Sequence, residues 1–456
     1  MEKVIIIGAG PAGLTAALHF CNHNDYDVTV IEISDSVGGM SKTIKLFNRY
    51  VDIGPHRFFS KNSTVNKIWK DSLDGDFKTV NRLTRIFYNK KLFQYPIRPF
   101  NAFFKLGVIE SLSCLLSYIT YQIFPIKNEK IFSNWVSNRF GKKLYNIFFH
   151  NYTKKVWGIS PKKISSDFAA QRIKKFSLAD VIFKFLKSKN SHKTLVDKFM
   201  YPLKGNGYTY QKMYKKILKL GGKFLFKSKI DKVEYKENLF KITLDNNKKL
   251  KCKYLISSMP IDSFLSIFKN YKNNQLNLKF RNTTLVYTLI NKDKIFEDQW
   301  LYIQDSNIST GRITNFNNWI PDIINSQEGT VLVCEYWSFD NDKLWTYNDK
   351  KLLELCSSDL IKCNFIKNKN EIIDFKVIKV PKCYPIYYNN YKNDIDKIKN
   401  ELKKYKNLFL IGRGGSYKYN NQDHSILMGY LAYSNVHLNC NYNLWEVNED
   451  SEYQES

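Results

Sequence analysis

The chain has 456 residues, 43% of them apolar, and 71 Lys and Arg against 42 Asp and Glu give it a formal net charge of +29. Such a composition supports packed cores in two or three domains, and it excludes a disordered chain, a disulfide-stapled miniprotein and a coiled coil. The lysines are spread among asparagines and isoleucines along the whole chain, with no zinc finger, RNA-binding signature or basic tail, so no nucleic-acid partner is expected.

A diffuse positive field instead suits an anionic small-molecule substrate or an acidic membrane surface. The eight cysteines (21, 114, 252, 334, 356, 363, 383 and 440) form no CxxC pair, and the seven histidines are dispersed, so no metal site is expected. Met1-Glu2-Lys3 runs straight into a strand-like VIII with no signal-peptide pattern, which makes a cytoplasmic protein with reduced thiols the expectation.

In chain order, residues 1–60 read as strand, glycine turn, helix, strand and glycine pair. In VIIIGAGPAGLTAAL, Gly8 permits a tight turn, Gly10 lets the backbone approach a pyrophosphate, and Gly13 lets helix and strand pack closely. The helix start adds amide donors and a positive dipole end. The next strand, VTVIE, ends in Glu32, nineteen residues beyond Gly13, where an acid can bind the adenosine ribose hydroxyls; that acid disfavours a 2′-phosphate, and hence NADP. A second close-approach turn follows at Gly38-Gly39.

From residue 76 to 201 the chain is helix-rich and aromatic, with helical periodicity over 100–124, 130–150 and 164–187. Leu106–Phe124 is about long enough to span a bilayer, but Glu110, Gln122 and its serines and threonines favour an amphipathic helix packed on a domain. A helix resting on a membrane surface is the lesser reading. Residues 204–246 return to a helix ended by Gly221-Gly222 and short strands with a turn at Asp245-Asn246-Asn247. Residues 280–340 are strand-rich, and the chain closes with the strand LFLIG, a glycine loop and a helix from about Ser425.

The fold class expected is therefore α/β: a Rossmann-type dinucleotide domain built from discontinuous segments (1–75, 202–265 and 380–440), with inserted material. The inserts are a helical substrate or cap domain (76–201) and a sheet-rich substrate domain (266–379), and 441–456 reads as a flexible tail.

The glycine cradle followed by SDSVGGMSKT resembles the FAD-binding family that includes amine oxidases, protoporphyrinogen oxidases and UDP-galactopyranose mutases. That resemblance implies FAD as the cofactor, with Gly38 and Gly39 along its diphosphate. Further segments look like the mutases. Asp52-Ile-Gly-Pro-His56 resembles the stretch under the flavin, with His56 beside the reactive ring edge, although Arg57-Phe58-Phe59-Ser60 departs from the pattern. Tyr152-Thr-Lys-Lys-Val-Trp157-Gly158 is similar to the stretch whose tryptophan lines the nucleotide-sugar pocket. Arg172 and Arg281 fall where the mutases have arginines that clamp the substrate diphosphate. The run Gly412-Arg413-Gly-Gly-Ser-Tyr417-Lys-Tyr419-Asn-Asn-Gln-Asp423 resembles their segment in which the arginine sits at the flavin and the tyrosines bind the diphosphate. The stretch from Trp300 to Trp345, including GRITNFNNWIP, does not map onto that pattern.

The resemblance implies a mutase-like isomerase. Reduced-flavin N5 attacks the anomeric carbon of a UDP-sugar, pyranose and furanose interconvert, and the product serves cell-surface polysaccharide synthesis. The catalytic candidates are His56, Arg172 and Arg281, and the substrate-binding ones are Trp157, Arg172, Arg281, Tyr417, Tyr419 and Asp423. The cofactor-binding ones are Gly8, Gly10, Gly13, Glu32, Gly38, Gly39, His56, Gly412 and Arg413. NADH or NADPH as the reductant, a homo-oligomer and peripheral membrane contact stay open. The alternative is a net FAD-dependent oxidoreductase of the amine oxidase or protoporphyrinogen oxidase type. No side-chain nucleophile motif appears, which fits a site where the cofactor carries the chemistry.

Overall fold

The computed structural model describes residues 1–95, 97, 99–167, 198–272, 277–319, 328–388 and 390–448. The chain opens with β1 (Glu2–Ile7), α1 (Pro11–Cys21) and β2 (Tyr26–Ile31). The hairpin β3 (Thr43–Leu46) and β4 (Arg49–Asp52) precedes α2 (Ser63–Leu73), β5 (Phe77–Asn81), β6 (Thr84–Tyr88) and β7 (Lys91–Gln94). Five helices follow: α3 (Pro99–Leu106), α4 (Val108–Ile123), α5 (Phe132–Phe140), α6 (Lys142–Tyr145) and α7 (Asn151–Trp157).

Next come β8 (Lys198–Pro202), α8 (Gly207–Lys219), β9 (Lys223–Leu225) and the meander β10 (Ile230–Lys236), β11 (Leu239–Leu244) and β12 (Lys249–Cys252). They lead to β13 (Tyr254–Ser257), α9 (Ile261–Ile267) and the strands β14 (Phe280–Ile290), β15 (Trp300–Ile303), β16 (Arg312–Asn315) and β17 (Thr330–Ser338). The chain ends with α10 (Asp349–Lys362), β18 (Ile372–Pro385), α11 (Tyr391–Leu402), β19 (Leu408–Leu410) and α12 (Gln422–His437).

Two sheets organise the chain. The first is a five-stranded parallel sheet in the order β19-β13-β1-β2-β9, and it draws on strands from both ends and the middle of the chain. Its central strand β1 is apolar on both faces, as a sheet covered by helices on both sides requires. Helix α1 packs on it through small residues, Ala12, Ala16 and Ala17, all buried. Helix α12 crosses α1 so closely that a Cβ at Gly429 would lie 2.3 Å from the Ala12 carbonyl oxygen.

The second is a seven-stranded mixed sheet, β18-β14-β17-β16-β15-β6-β7. Strands β6 and β7 thus leave the expected helical segment (76–201) and join the sheet-rich one. The cause is local: β6 pairs in parallel with β15, and Arg85 forks onto the fully buried Asp298 at 2.6–3.0 Å. The expected helix over Leu106–Phe124 also breaks, at Gly107, whose φ of +91° suits glycine. The last helix starts at Gln422 rather than near Ser425, because Asn421 caps it and the His424 side chain completes a reciprocal capping box.

Candidate functional site

The C-terminal ends of β1 and β13 carry the first half of the site. Gly8 turns with φ +97°, and a Cβ there would meet the Ser258 hydroxyl at 2.3 Å. At Gly13 a Cβ would lie 1.9 Å from the Gly8 carbonyl oxygen, so the helix can sit against the turn only as glycine. Gly10 differs: its nearest described neighbour would be Gly39 Cα at 3.8 Å, so its open side faces free space. Gly10 caps α1 without any side-chain hydrogen bond, and the first-turn amides are left for a ligand anion.

Glu32 closes this cradle. Its carboxylate accepts from the Ala9 N–H at 2.7 Å and from the N–H and hydroxyl of Ser34 at 2.9 and 2.6 Å, which fixes its orientation and leaves lone pairs for further donors. The Gly38-Gly39 turn docks directly on the first one: Gly38 N–H donates to Ala9 C=O at 2.8 Å, and a Cβ at Gly39 would lie 3.1 Å from Gly10 Cα. These residues fit the diphosphate and ribose of an adenine dinucleotide.

Beyond the second turn, Met40 leads to the other half. Arg413 follows Gly412, whose φ is +71°, and its guanidinium donates to Asn420 C=O at 2.8 Å and Cys383 C=O at 3.3 Å, with Met40 Sδ at 4.0 Å. It lies 5.1 and 5.3 Å from the rings of Tyr384 and Tyr419, which stack on each other at 5.1 Å. Trp157 meets Tyr419 edge-on at 5.7 Å.

His56 joins this end. Burial first, and then the charges of Arg413 and Arg312, pull its pKa down to about 3, so the imidazole is neutral, and its Nε2 lies 3.0 Å from Ile53 C=O. Beneath it, Asp52 accepts from Thr43, Tyr201 and the Asn206 N–H, and burial pushes its pKa up to about 7.

Several expected residues do other work. Arg281 is 3% exposed and is used up inside the protein: it donates to Val156, Lys155 and Trp337 carbonyls and to Asp342, at 2.6–3.3 Å. It ties the end of α7 to the end of β17, so it is a positioning residue and not a substrate clamp. Tyr417 lies in the core, its one hydroxyl proton shared between the Lys279 and Ile386 carbonyls at 2.8 and 2.9 Å while its oxygen accepts from Lys279 N–H at 3.1 Å, so no donor is left for a diphosphate. Asp423 is buried in the first turn of α12, 3.3 Å from His424 Nδ1. Arg172 lies outside the described residues.

The structure adds one pair that the sequence reading missed. Arg312 forks onto Glu335 at 2.5 and 2.6 Å, and a Cβ at Gly54 would lie 3.9 Å from His56 Nε2 and 4.0 Å from Glu335 Oε2, so the pair faces the histidine. Arg312 belongs to GRITNFNNWIP, the segment without a counterpart in the resemblance; its signal was the lone arginine between a glycine and a strand. Tyr384, on β18, carried no motif at all. Among the described residues, no cluster of three or more His, Cys, Asp or Glu side chains could hold a metal ion.

Residues 11–424 match the flavin containing amine oxidoreductase family. The L-amino-acid oxidase of Crotalus adamanteus is 31% identical over 112 residues, 22% of this chain and 22% of that protein. A probable UDP-galactopyranose mutase of Klebsiella pneumoniae is 28% identical over 193 residues, 40% of this chain and 48% of the relative. The chain thus aligns with less than half the length of either relative. Reduced UDP-galactopyranose mutase, a solved structure, shares the fold with a TM-score of 0.84 at 20% identity, covering 98% of this chain and 99% of that one.

Proposed function

Because this chain belongs to the flavin-containing amine oxidoreductase family, we propose that it binds FAD along the glycine cradle and acts on a nucleotide sugar, interconverting the pyranose and furanose forms of a UDP-hexose. The observation that carries this reading is the state of Arg413. Among the described residues its partners are two carbonyls, a thioether and two tyrosine rings, so its charge has no carboxylate against it. An always-ionised guanidinium held among neutral groups calls for an anion. A diphosphate supplies one, and an amine substrate, itself a cation, is disfavoured there.

Reduced FAD would supply a nucleophilic ring nitrogen and a negatively charged ring. The chain's own residues do the rest. Arg413 and Tyr419 hold the diphosphate, Trp157 and Tyr384 wall the pocket, and the neutral His56 stays anchored on Ile53 C=O. Arg312 is neutralised by Glu335, so it shapes the pocket without adding net charge. Holding a departed UDP against these groups keeps it placed for recombination, which is a gain of effective concentration. NADH or NADPH would keep the flavin reduced, and the product would feed cell-surface polysaccharide synthesis.

Similarity to the L-amino-acid oxidase supports a second reading, net oxidation with hydride transfer to FAD. One experiment separates the two. The anaerobic enzyme is reduced with dithionite, given UDP-galactopyranose, and the nucleotide sugars are resolved by chromatography. A UDP-furanose formed only by reduced enzyme is the expected result. No product, together with a flavin spectrum indifferent to UDP, would overturn the proposal and leave the oxidase reading.

A further inference from the structure

Helix α4 is inside out. The side chains it buries are Ser111 and Cys114, and its apolar ones point to solvent. Ile109, Leu112, Leu116, Ile119 and Ile123 recur at steps of three and four, which places them on one helical face. Ile109 is 86% exposed, Leu116 66% and Ile123 63%, and the stripe is extended by Phe104 at the end of α3 (78%) and Phe124 just past α4 (74%). A contiguous exposed apolar surface of this kind marks an interaction site, whereas single exposed apolar residues do not.

The surroundings are basic. Residues 99–163 hold ten Lys and Arg against two Glu; of the ten, Lys155 is turned inward onto the carbonyls of Ile303, Asp305 and Thr310, and Lys105 onto the Leu92 carbonyl. One of the two acids, Glu110, is paired with Lys143 at 3.1 Å, and the other, Glu129, with Arg139 at 3.1 Å. Lys142 and Lys143 open α6, whose Lys143 N–H donates to the Ser117 hydroxyl of α4 at 3.1 Å. The ammonium of Lys142 sits below its usual pKa, through burial first and then through the charge of Lys162. Exposed Lys127 lies four residues beyond the end of α4 at Ile123.

We propose that the α3–α4 face docks the protein on an anionic lipid bilayer, the apolar stripe entering the headgroup–acyl boundary and the surrounding lysines meeting lipid phosphates. The stripe lies along one helical face and does not surround the helix, and none of the described helices is long and apolar enough to cross a membrane, so the helix lies on the surface. Charge selects the bilayer over a second copy of the chain. A two-fold contact through α4 would set one basic helical unit against its twin, which is repulsive, whereas an anionic surface attracts each lysine near it by about 1 kcal/mol. This inference does not depend on the substrate.

The test is flotation of the flavin-loaded protein with vesicles of phosphatidylcholine alone and of phosphatidylcholine mixed with phosphatidylglycerol. Binding is expected with the mixed vesicles and only weakly with the neutral ones. Ile109→Glu/Leu116→Glu should lower it by at least about tenfold, the effect of removing two buried aliphatic side chains. Its flavin content and melting temperature should stay those of the wild type, since both positions are exposed. Lys127→Gln/Lys142→Gln should weaken binding and flatten its salt dependence. Absence of binding to either vesicle, or binding that Ile109→Glu/Leu116→Glu leaves intact, would overturn the proposal. So would a dimer in sedimentation that this variant converts to monomer without any vesicle binding, because a second copy would then cover the stripe. UDP-galactopyranose turnover by the soluble enzyme reads out the proposed function separately and should survive the variant.

Discussion

At the first glycine turn the positive charge offered to a ligand comes from the main chain, through the uncapped start of α1 at Gly10. At the aromatic end it comes from a side chain, Arg413 among neutral partners, while the charge of Arg312 is matched by Glu335. The two regions fail in different ways. A main-chain site is shaped by what is missing at its glycines, so an added side chain either breaks the fold or blocks the ligand. A side-chain site depends on which groups the rest of the protein has left unused. Arg281 and Arg413 are the same residue type, yet the first is spent on four internal hydrogen bonds and the second keeps a charge to offer.

The largest effects should separate two glycines of one turn. Gly13→Val drives a side chain into the Gly8 carbonyl, 1.9 Å from the position of its Cβ, and should yield no soluble folded protein. Gly10→Val has 3.8 Å to its nearest described neighbour and should fold with a near-normal melting temperature but purify colourless. Soluble yield and the flavin absorbance read both. A yellow Gly10→Val protein would remove the cradle from the cofactor site.

The arginines come next. Arg281→Met should cost about 1–3 kcal/mol of stability, because three carbonyls lose a buried donor while the half-exposed Asp342 can turn to water. UDP affinity of the protein that still folds should not change. Arg413→Met should do the reverse, weakening UDP by about tenfold or more, as a lost charge-assisted contact of about 1.5–3 kcal/mol implies, with little loss of stability. Denaturant titration and UDP-induced flavin difference spectra give the two numbers. Equal UDP affinities for both variants would erase the contrast between the two arginines.

Tyrosines repeat the contrast on a smaller scale. Tyr417→Phe leaves two buried carbonyls and one amide without their hydroxyl and should cost about 1–3 kcal/mol in stability. Tyr419→Phe should weaken UDP binding, read in the same flavin difference spectra.

These pairs show why the sequence was legible in one region and opaque in the other. Gly8, Gly10, Gly13, Glu32 and Gly38-Gly39 are local in the chain, and their roles follow from backbone geometry that spacing reveals. The strands β9 and β19 were readable from their apolar runs, though not their place in the sheet, and β13 between them was not singled out. Whether Arg281 meets a ligand is decided by partners more than fifty residues away, such as Val156 and Trp337. Tyr417 and Tyr419 are two residues apart and alike in sequence. Tyr417 takes a left-handed φ of +51°, and its hydroxyl ends between the Lys279 and Ile386 carbonyls. The outward stripe of α4 misled for the same reason, since periodicity shows that a helix has a face and not which way the face points.

Asp52 and His56, four residues apart, supply an effect that is silent in the wild type, where their contributions cancel. The Asp52 carboxyl has its pKa raised to about 7, so the folded protein holds a proton that an unfolded carboxyl, near 3.9, releases. Its contribution to stability therefore falls as pH rises between about 4 and 7, by about 1.4 kcal/mol per pH unit. His56, held down to about 3 against about 6.5 unfolded, acts oppositely: its contribution falls as pH drops below about 6.5. Where the windows overlap, from about pH 4 to 6.5, the two slopes offset each other. Asp52→Asn should therefore make stability fall on acidification relative to the wild type, and His56→Gln should make it rise, each by about 1.4 kcal/mol per pH unit. Denaturant midpoints measured at several pH values across that window would show it. Parallel curves for all three proteins would mean that neither side chain is buried as described, and the neutral imidazole beside Arg413 would have to be given up.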